Sequence, residues 1–408
     1  MTGIVKTDQI QGAGSSTVTI PSGTALNVTN VSGTPTFSGA STFSGDVTLP
    51  SINGGQIGGR RNMVINGAMQ VAQRGTSGFT TNAAYTLDRY KVFCPAASFT
   101  VSQSTTAPTD FYHSIKIENT STATPSSSQG CNIFTFLEGN TVSQLNWGTS
   151  NAKAATLSFY VRANNAGTYC VSLENANGTV GSGSHSFVTE YTISSANTWE
   201  EKKIVIPGPT VGTWKTDNSL GIVIGWTLQV GSNFETSTAD AWQSGLFRQT
   251  SNQINWQQTA SADFHLTGIQ LEVGSQATAF EHRSFGEELQ LCKRYFERMF
   301  RGGSAPSGTE RTGLGAGVWY QNSQVLAHLG FSTKRAAPTV TQSETGAIGC
   351  YGSGFFRTST DSTPFDSITH NSLRINITSF NSNGTQGNGT YVQLVTNNVS
   401  NISIDAEL

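Results

Sequence analysis

Carboxylate pairs are the first feature that could do chemistry, because a glycosidase needs two of them about 5–10 Å apart across a sugar bond. The candidate pairs in this sequence are Glu272 with Glu281 and Asp361 with Asp366. They come from only 25 acidic residues, and salt bridges to Arg283 or Arg357 explain them more simply. Asp263 and His265 share a strand face, but one such pair does not make a Ser-His-Asp triad. We therefore expect no catalytic residue and no enzyme activity.

Metal and redox sites are not indicated by the spacing of the histidines and cysteines. The histidines considered are His113, His185, His282, His328 and His370. The cysteines are Cys94, Cys131, Cys170, Cys292 and Cys350, and none of them forms a CxxC pair. Their odd number and wide spacing predict free, buried thiols. No glycine-rich loop precedes a helix in the order that cradles phosphate, so we expect neither a metal nor a cofactor.

Aromatic rings among amide and hydroxyl side chains are the remaining candidates, since sugars bind flat ring faces bordered by hydrogen-bonding groups. The C-terminal region carries such rings beside many Asn, Ser and Thr residues. We assign the receptor contact to Trp319, Tyr320, Tyr351 and Phe356. The alternative is that these rings fill a β core or an interface between subunits.

The composition limits the class of partner. Lys and Arg number 23 against 25 Asp and Glu, so the net charge is −2 and no basic surface is expected to bind nucleic acid or an anionic membrane. Aromatic residues make up 10% of the chain, which argues against disorder. The first 16 residues lack the pattern of a signal peptide, and no apolar run approaches about 18 residues. The chain is therefore expected to be made in a cytoplasm without standard export, although its low content of charged residues is typical of extracellular proteins. Release from a host cell by lysis, as part of a virus particle, would account for both features.

β-strands are the elements that the pattern predicts for positioning these residues. Residues 1–59 show a two-residue apolar period and repeat Thr-Phe-Ser-Gly at 36–39 and 42–45, which predicts a β stalk in which three chains bury Phe37 and Phe43. A flexible linker is the alternative. Residues 60–283 show longer alternating segments and predict a sandwich of two antiparallel sheets. Residues 304–408 predict a further β domain at the tip.

One segment between these regions predicts an amphipathic helix, over Ser284–Arg301 within a connecting segment 284–303. Ser284 and Glu287 have capping-box spacing, and Gly302-Gly303 is expected to end the helix. Its apolar residues are expected to pack on the sandwich or on sister helices of a trimer. They are Leu289, Cys292, Phe296, Met299 and Phe300.

Several stretches resemble a jelly-roll domain that is common in bacteriophage tail and fibre proteins, over roughly residues 60–300. They are NMVINGAMQVAQRG at 62–75, YTLDRY at 85–90, ATLSFYVRANNAG at 155–167 and the closing segment 266–296. The start, VKTDQIQ at 5–11, resembles amino termini of virion structural proteins of marine phages. The jelly roll is similar in shape to carbohydrate-binding modules, which hold a structural calcium. In this sequence Gln70 and Thr267-Gly268 are nearest to the positions of the acidic calcium ligands of those modules, so we expect no calcium site here.

The resemblance implies a homotrimeric tail fibre on the virion. Its N-terminus would attach to a tail, adaptor or baseplate protein, and its C-terminus would contact a host polysaccharide or protein. A purely structural head, neck or tail appendage is the first alternative, and a polysaccharide-depolymerising tailspike is the second. Whether the jelly roll binds sugar stays open at this point, because fold alone does not give function.

Overall fold

The computed structural model describes residues 60–408 except 179–184, 300–311, 344–346, 353–354, 381–383 and 395–400. The proposed stalk with Phe37 and Phe43, and Phe300 of the expected helix, lie outside the described residues. The described residues belong to one compact unit. Among them, no helix is long and apolar enough to cross a membrane.

The all-β expectation is confirmed, and the first large part of the described chain is a jelly-roll sandwich. Its strands are β1 (Ala84–Tyr85), β2 (Tyr90–Phe93), β3 (Phe99–Ser104), β4 (Ser114–Asn119), β5 (Gly130–Glu138), β6 (Ala155–Ala163), β7 (Gly167–Gly178), β8 (His185–Ile193), β9 (Glu200–Ile206), β10 (Leu220–Val230), β11 (Glu235–Thr236), β12 (Trp242–Ser244), β13 (Gln249–Thr250) and β14 (Asp263–Val273). Short helical turns occur at Gly139–Val142, Ser143–Leu145, Ser232–Phe234 and Trp256–Gln258.

Two sheets form this sandwich. The seven-stranded sheet has the order β1-β2-β5-β10-β7-β8-β12, and the five-stranded sheet has the order β3-β4-β14-β6-β9. The core between them is apolar because alternate residues of each strand point inward. On β6, for example, Leu157, Phe159 and Val161 are buried in the core. The residues between them, including Ser158 and Tyr160, therefore lie on the outer face.

The cysteine prediction is corrected at two positions. Cys94 and Cys131 form a disulfide with their Cα atoms 4.1 Å apart. Cys94 follows Phe93 and Cys131 precedes Asn132, and Phe93 and Asn132 are cross-strand partners on β2 and β5, so the antiparallel register places the two cysteines opposite each other. This proximity is not visible in their separation of 37 residues. The other three cysteines, Cys170, Cys292 and Cys350, are free and buried, as expected.

The helix after the sandwich is shorter than the sequence predicts. It runs from Phe285 to Lys293, and the Ser284 hydroxyl accepts the Glu287 amide at 3.3 Å, which confirms the cap. The chain then continues as strand β15 (Phe296–Met299), so the extension of the helix to Arg301 is wrong. The physical reason is tertiary, because β15 pairs with a strand more than a hundred residues later in the chain. The local sequence pattern cannot show that this strand supplies hydrogen-bonding partners.

The C-terminal part forms two further sheets. Its remaining strands are β16 (Thr312–Gln321), β17 (Gln324–Gly330), β18 (Thr339–Gln342), β19 (Ile348–Gly352), β20 (Phe355–Thr358), β21 (Phe365–Asp366), β22 (Ser372–Ile377), β23 (Gly389–Leu394) and β24 (Ile402–Asp405). One sheet has the order β20-β19-β23-β16-β17-β22-β21, and the other has the order β15-β24-β18. The expected hairpin within 317–331 is confirmed by the antiparallel pairing of β16 with β17.

Candidate ligand-binding cleft

A cleft of about 720 Å³ lies on the outer face of the five-stranded sheet. Strands β6, β9 and β14 form its floor, and the loops at 109–112 and 279–282 form its walls. Its lining consists of Thr109, Asp110, Phe111, Tyr112, Ser158, Tyr160, Glu201, Gly268, Ala279, Phe280 and His282. The volume is within the range of about 300–1,000 Å³ that is usual for small-molecule sites.

Four rings in this cleft form one continuous aromatic cluster. The ring of Phe111 lies 5.4 Å from Tyr160, 5.0 Å from Phe280 and 5.2 Å from His282, measured between centroids. The rings of Phe280 and His282 are 4.8 Å apart and meet edge to face. Tyr112, beside them, is 80% exposed, so its ring is accessible to a ligand. The cluster gives the cleft an aromatic lining, with Tyr112 as an accessible ring beside it.

Gly268 permits this packing. It has a φ of +62° at an irregularity in β14, where the register with β6 shifts between Thr267 and Gln270. A Cβ atom at this position would lie 2.7 Å from a ring carbon of Tyr160 and 2.8 Å from one of Phe111. Both the left-handed backbone and the lack of a side chain therefore favour glycine here.

The polar groups of the cleft are mainly hydrogen-bond acceptors. Tyr160 and Glu201 are cross-strand partners on β6 and β9, and Glu201 forms an ion pair with Lys203 at 2.8 Å. Partial burial raises the pKa of the Tyr160 phenol, and the carboxylates of Glu201 and Asp110 raise it further. Asp110 has a φ of +71° in the loop before Phe111 and is exposed. The cleft lining contains two carboxylates and no lysine or arginine.

This arrangement suits a neutral sugar. The C–H faces of a pyranose can pack on the rings, while its hydroxyls can donate to Asp110 and Glu201. The hydroxyls of Thr109 and Ser158 add further partners at the rim and the floor. Lys203 offsets the charge of Glu201, so the repulsion that disfavours an acidic sugar comes mainly from Asp110.

Of the four residues predicted to contact the receptor, Tyr320 and Tyr351 are at the surface and Trp319 is not. Trp319 is 2% exposed and packs on Phe380 at 4.9 Å, so it belongs to the core of the C-terminal sheet. Tyr320 and Tyr351 are exposed. Phe356 pairs with Tyr351 between β20 and β19, and its side chain lies outside the described residues.

The exposed tyrosines lie on the outer face of the C-terminal seven-stranded sheet. Tyr351 pairs with Tyr391, which in turn pairs with Ala316, so the three are in one transverse row. A shallow groove of about 400 Å³ follows beside them, lined by residues that include Val318, Leu326 and Arg374. This face is a second, more open candidate surface.

Two of the residues expected to pack the trimer, Phe296 and Met299, have partners within their own chain. Phe296 is buried in β15, and the guanidinium of Arg74 lies 3.6 Å from its ring centroid. Met299 packs against the apolar core of the C-terminal sheets. Leu289 is half-buried on the helix. No subunit contact is needed to explain Phe296 or Met299.

The Asp263 and His265 pair extends to a serine in the fold. The Nε2 atom of His265 lies 3.8 Å from the carboxylate of Asp263, and its Nδ1 atom lies 3.2 Å from the hydroxyl of Ser114. That hydroxyl donates to the carbonyl of Thr106 at 2.7 Å. Burial opposes ionisation of Asp263, but His265, the backbone amide of Asn164 and the charge of Lys116 together outweigh it and lower the pKa of the carboxyl. Ser114 and His265 are both buried, so these contacts stabilise the sheet.

Members of the two candidate carboxylate pairs also have structural partners. Glu281 accepts the backbone amide of Asn62 at 3.0 Å and pairs with Arg283, as expected. Asp366 pairs with Arg374 rather than Arg357. Across the described parts of the chain, no group of three His, Cys, Asp or Glu residues could hold a metal ion.

Sequence reasoning missed the cleft, because its residues come from five separate segments. The one local signal is the run Asp110-Phe111-Tyr112, which puts two rings into a polar connection between strands. Such a connection usually lies at the surface, so rings placed there are candidates for binding.

Comparisons with known proteins add likenesses of fold. No protein-family model and no curated protein matches the chain. An enzymatically active domain of tailspike protein 4 of bacteriophage CBA120 is 14% identical with a TM-score of 0.27, and the match covers 52% of this chain and 21% of that one. A putative sugar binding protein from Bacteroides thetaiotaomicron is 12% identical with a TM-score of 0.31, covering 52% of this chain and 100% of that one.

A family 11 carbohydrate-binding module from Clostridium thermocellum, solved with a β-1,3-1,4-mixed-linked tetrasaccharide, is also similar. It is 12% identical with a TM-score of 0.26, covering 51% of this chain and 99% of that module. The present chain spans about a fifth of the tailspike's length. At these values the likeness is one of general fold over about half of the chain, and the function has to be argued from the residues.

Proposed function

We propose that this protein is a non-enzymatic tail fibre of a bacteriophage, and that it holds host-surface glycan in the cleft on the five-stranded sheet. The observation that carries the binding part is the cluster of Phe111, Tyr160, Phe280 and His282 with the exposed ring of Tyr112. Aromatic faces beside carboxylates and hydroxyls are the usual equipment for binding sugars.

The virion role rests on the sequence. The segments at 62–75 and 266–296 resemble the jelly roll of phage tail and fibre proteins, and residues 5–11 resemble the start of virion structural proteins. In this proposal residues 1–59 attach the protein to the tail, and three chains form the fibre. A trimer with one weak site per chain, present in several copies on a particle, binds tightly through effective concentration.

The cleft replaces the tip as the preferred site of contact. Trp319 is unavailable to a ligand in this fold because its ring is packed in the core. The face with Tyr320, Tyr351 and Tyr391 remains the second candidate, favoured by its three exposed rings. It lacks the enclosed shape of the cleft, which removes more of a ligand's surface from water.

Paired variants of the full-length protein distinguish the two surfaces. Tyr112→Ala and Asp110→Asn change the cleft, and both side chains are exposed, so folding should be unaffected. Tyr320→Ala is the matched control on the C-terminal face. A microbial glycan array gives the ligand, and calorimetry with the best neutral oligosaccharide then gives the affinity. We expect Tyr112→Ala to weaken binding by about tenfold, since the stacking of one ligand ring on an aromatic side chain contributes roughly 1–3 kcal/mol.

Three results would reject parts of this proposal. Loss of binding in Tyr320→Ala with full binding in Tyr112→Ala would move the site to the C-terminal face. Release of reducing ends from the bound polysaccharide would favour the depolymerising tailspike. Absence of the protein from immunogold-labelled tails would leave only a role elsewhere in the particle.

A further inference from the structure

A second, smaller cavity lies on the opposite sheet of the sandwich. It has a volume of about 240 Å³, and its lining is Ala83, Lys91, Phe93, Phe134, Phe136 and Arg248. The volume is below that of a site for a drug-sized ligand and suits a single ring. The cavity shares no lining residue with the cleft.

Its walls are aromatic. Phe134 and Phe136 project from the outer face of β5, with their ring centroids 6.2 Å apart, and both are largely buried. Gly225 on the neighbouring β10 makes room for one of them, since a Cβ there would lie 2.7 Å from the Phe134 ring. Phe93 on β2 is half-buried at the same apolar cluster. These rings offer flat faces to the C–H side of a ring-shaped ligand.

Two cations face this cavity. The Arg248 side chain is 7% exposed, and its guanidinium lies about midway between the rings of Phe134 and Phe234, at 5.0 and 4.9 Å. It pairs with Glu174 through Nε at 2.6 Å. Lys91 forms no ion pair with any residue that the structure describes, and its Nζ atom lies 5.5 Å from the centroid of the Tyr85 ring. Since one carboxylate offsets one of the two cations, the cavity keeps an excess positive charge.

From these groups we propose that the cavity binds a carboxylate carried on a single six-membered ring, which is the chemistry of a hexuronate residue. The carboxylate pairs with Lys91 and Arg248, and the ring packs on Phe93 and Phe134. A cation next to a partly buried carboxylate gives a strong, charge-assisted hydrogen bond. The polar groups of this cavity donate, whereas the cleft on the other sheet presents carboxylates, so the two sites differ in the sugars that they accept. This site stands independently of the proposed function.

The test uses three small probes on the full-length protein by calorimetry and saturation-transfer NMR. They are methyl β-D-glucuronide, methyl β-D-glucoside and cyclohexanecarboxylate. We expect the glucuronide to bind at least about tenfold more tightly than the glucoside, because only the former has the carboxylate. Equal or tighter binding of cyclohexanecarboxylate would support the carboxylate-on-a-ring chemistry and identify a non-sugar acid as its source. Failure of both carboxylates to bind would overturn the proposal.

Substitutions then locate the bound carboxylate. Lys91→Met should weaken binding of the bound carboxylate probe about tenfold, and Lys91→Arg should restore most of it. Lys116→Met is the matched control, since Lys116 lies on the five-stranded sheet and pairs with Glu118. Tyr112→Ala should leave this binding unchanged, which separates the site from the cleft. Unchanged affinity in Lys91→Met, or an equal loss in Lys116→Met, would overturn the assignment.

Discussion

Arg89 and Glu407 form a buried ion pair although they are 318 positions apart in the sequence. Their side chains are 1% and 4% exposed, and the guanidinium of Arg89 also stacks over Tyr295 at 3.4 Å. Glu407 lies just after β24, which is the central strand of the sheet β15-β24-β18. The end of the described chain is therefore fixed to the start of the jelly roll.

This connection affects how the binding surfaces can be tested. Removing residues 304–408 would take away β24, which pairs with β15, and Glu407, which neutralises Arg89. In the truncated protein Arg89 would lack the carboxylate that balances its charge. Single substitutions on the surface are therefore the better test of where recognition occurs.

The first prediction concerns this ion pair. Glu407→Gln keeps the shape of the side chain but leaves Arg89 charged and buried, so we expect a loss of about 3–5 kcal/mol in the free energy of unfolding. Glu118→Gln, in the more exposed pair with Lys116, is the control and should cost less than about 1 kcal/mol. Urea denaturation followed by tryptophan fluorescence measures both. Equal midpoints for the two variants would contradict the structural role of the pair.

The second prediction concerns Gly268 in the cleft. Gly268→Ala strains a backbone at φ +62° and pushes a methyl group against Phe111 and Tyr160, so we expect a cost of about 1–3 kcal/mol. It should also lower affinity for the glycan, because the ring cluster must shift. Gly286→Ala is the opposite case: this helical glycine has open space around it, and alanine should stabilise by about 0.5–1 kcal/mol. A neutral effect of Gly268→Ala on both readouts would refute the packing argument.

The third prediction concerns pH. Burial alone would raise the pKa of Glu138, but its two 2.8 Å hydrogen bonds from Arg294, the charge of Arg294 and the side chains of Tyr295 and Asn140 together outweigh this and lower the pKa below its ordinary value. A lowered carboxyl pKa stabilises the fold above the unfolded value near 4.5, and this stability is lost as the pH falls through the folded value. Glu138→Gln should therefore be less stable than the wild type by about 1–3 kcal/mol at pH 7. The difference should shrink below about pH 4; a difference that stays constant down to pH 3 would argue against the assignment.

The fourth prediction concerns the cysteines. Protein purified without reductant and alkylated in denaturant should take up label at Cys170, Cys292 and Cys350 only. Addition of a reductant should raise the number from three to five, and peptide mapping should find Cys94 joined to Cys131. Labelling of all five without reductant would restore the original prediction of free thiols.

The sequence by itself determined the sandwich and the cap of the helix. Alternation of apolar and polar residues over 155–163 identified β6, because a strand with one buried face requires a two-residue period. The cap at Ser284 was equally visible, since it depends on residues three positions apart. Signals of this kind lie within one element.

Only the tertiary structure decided the ring cleft, the Cys94–Cys131 pairing and the early end of the helix. Each depends on groups brought together from distant segments, as when Phe111 meets Tyr160 above Gly268. The segment after Lys293 has helical spacing of its apolar residues, and pairing with β24 decides in favour of a strand. A backbone adopts the hydrogen-bonding partners that the whole fold supplies, and one segment read alone cannot show which partners those are.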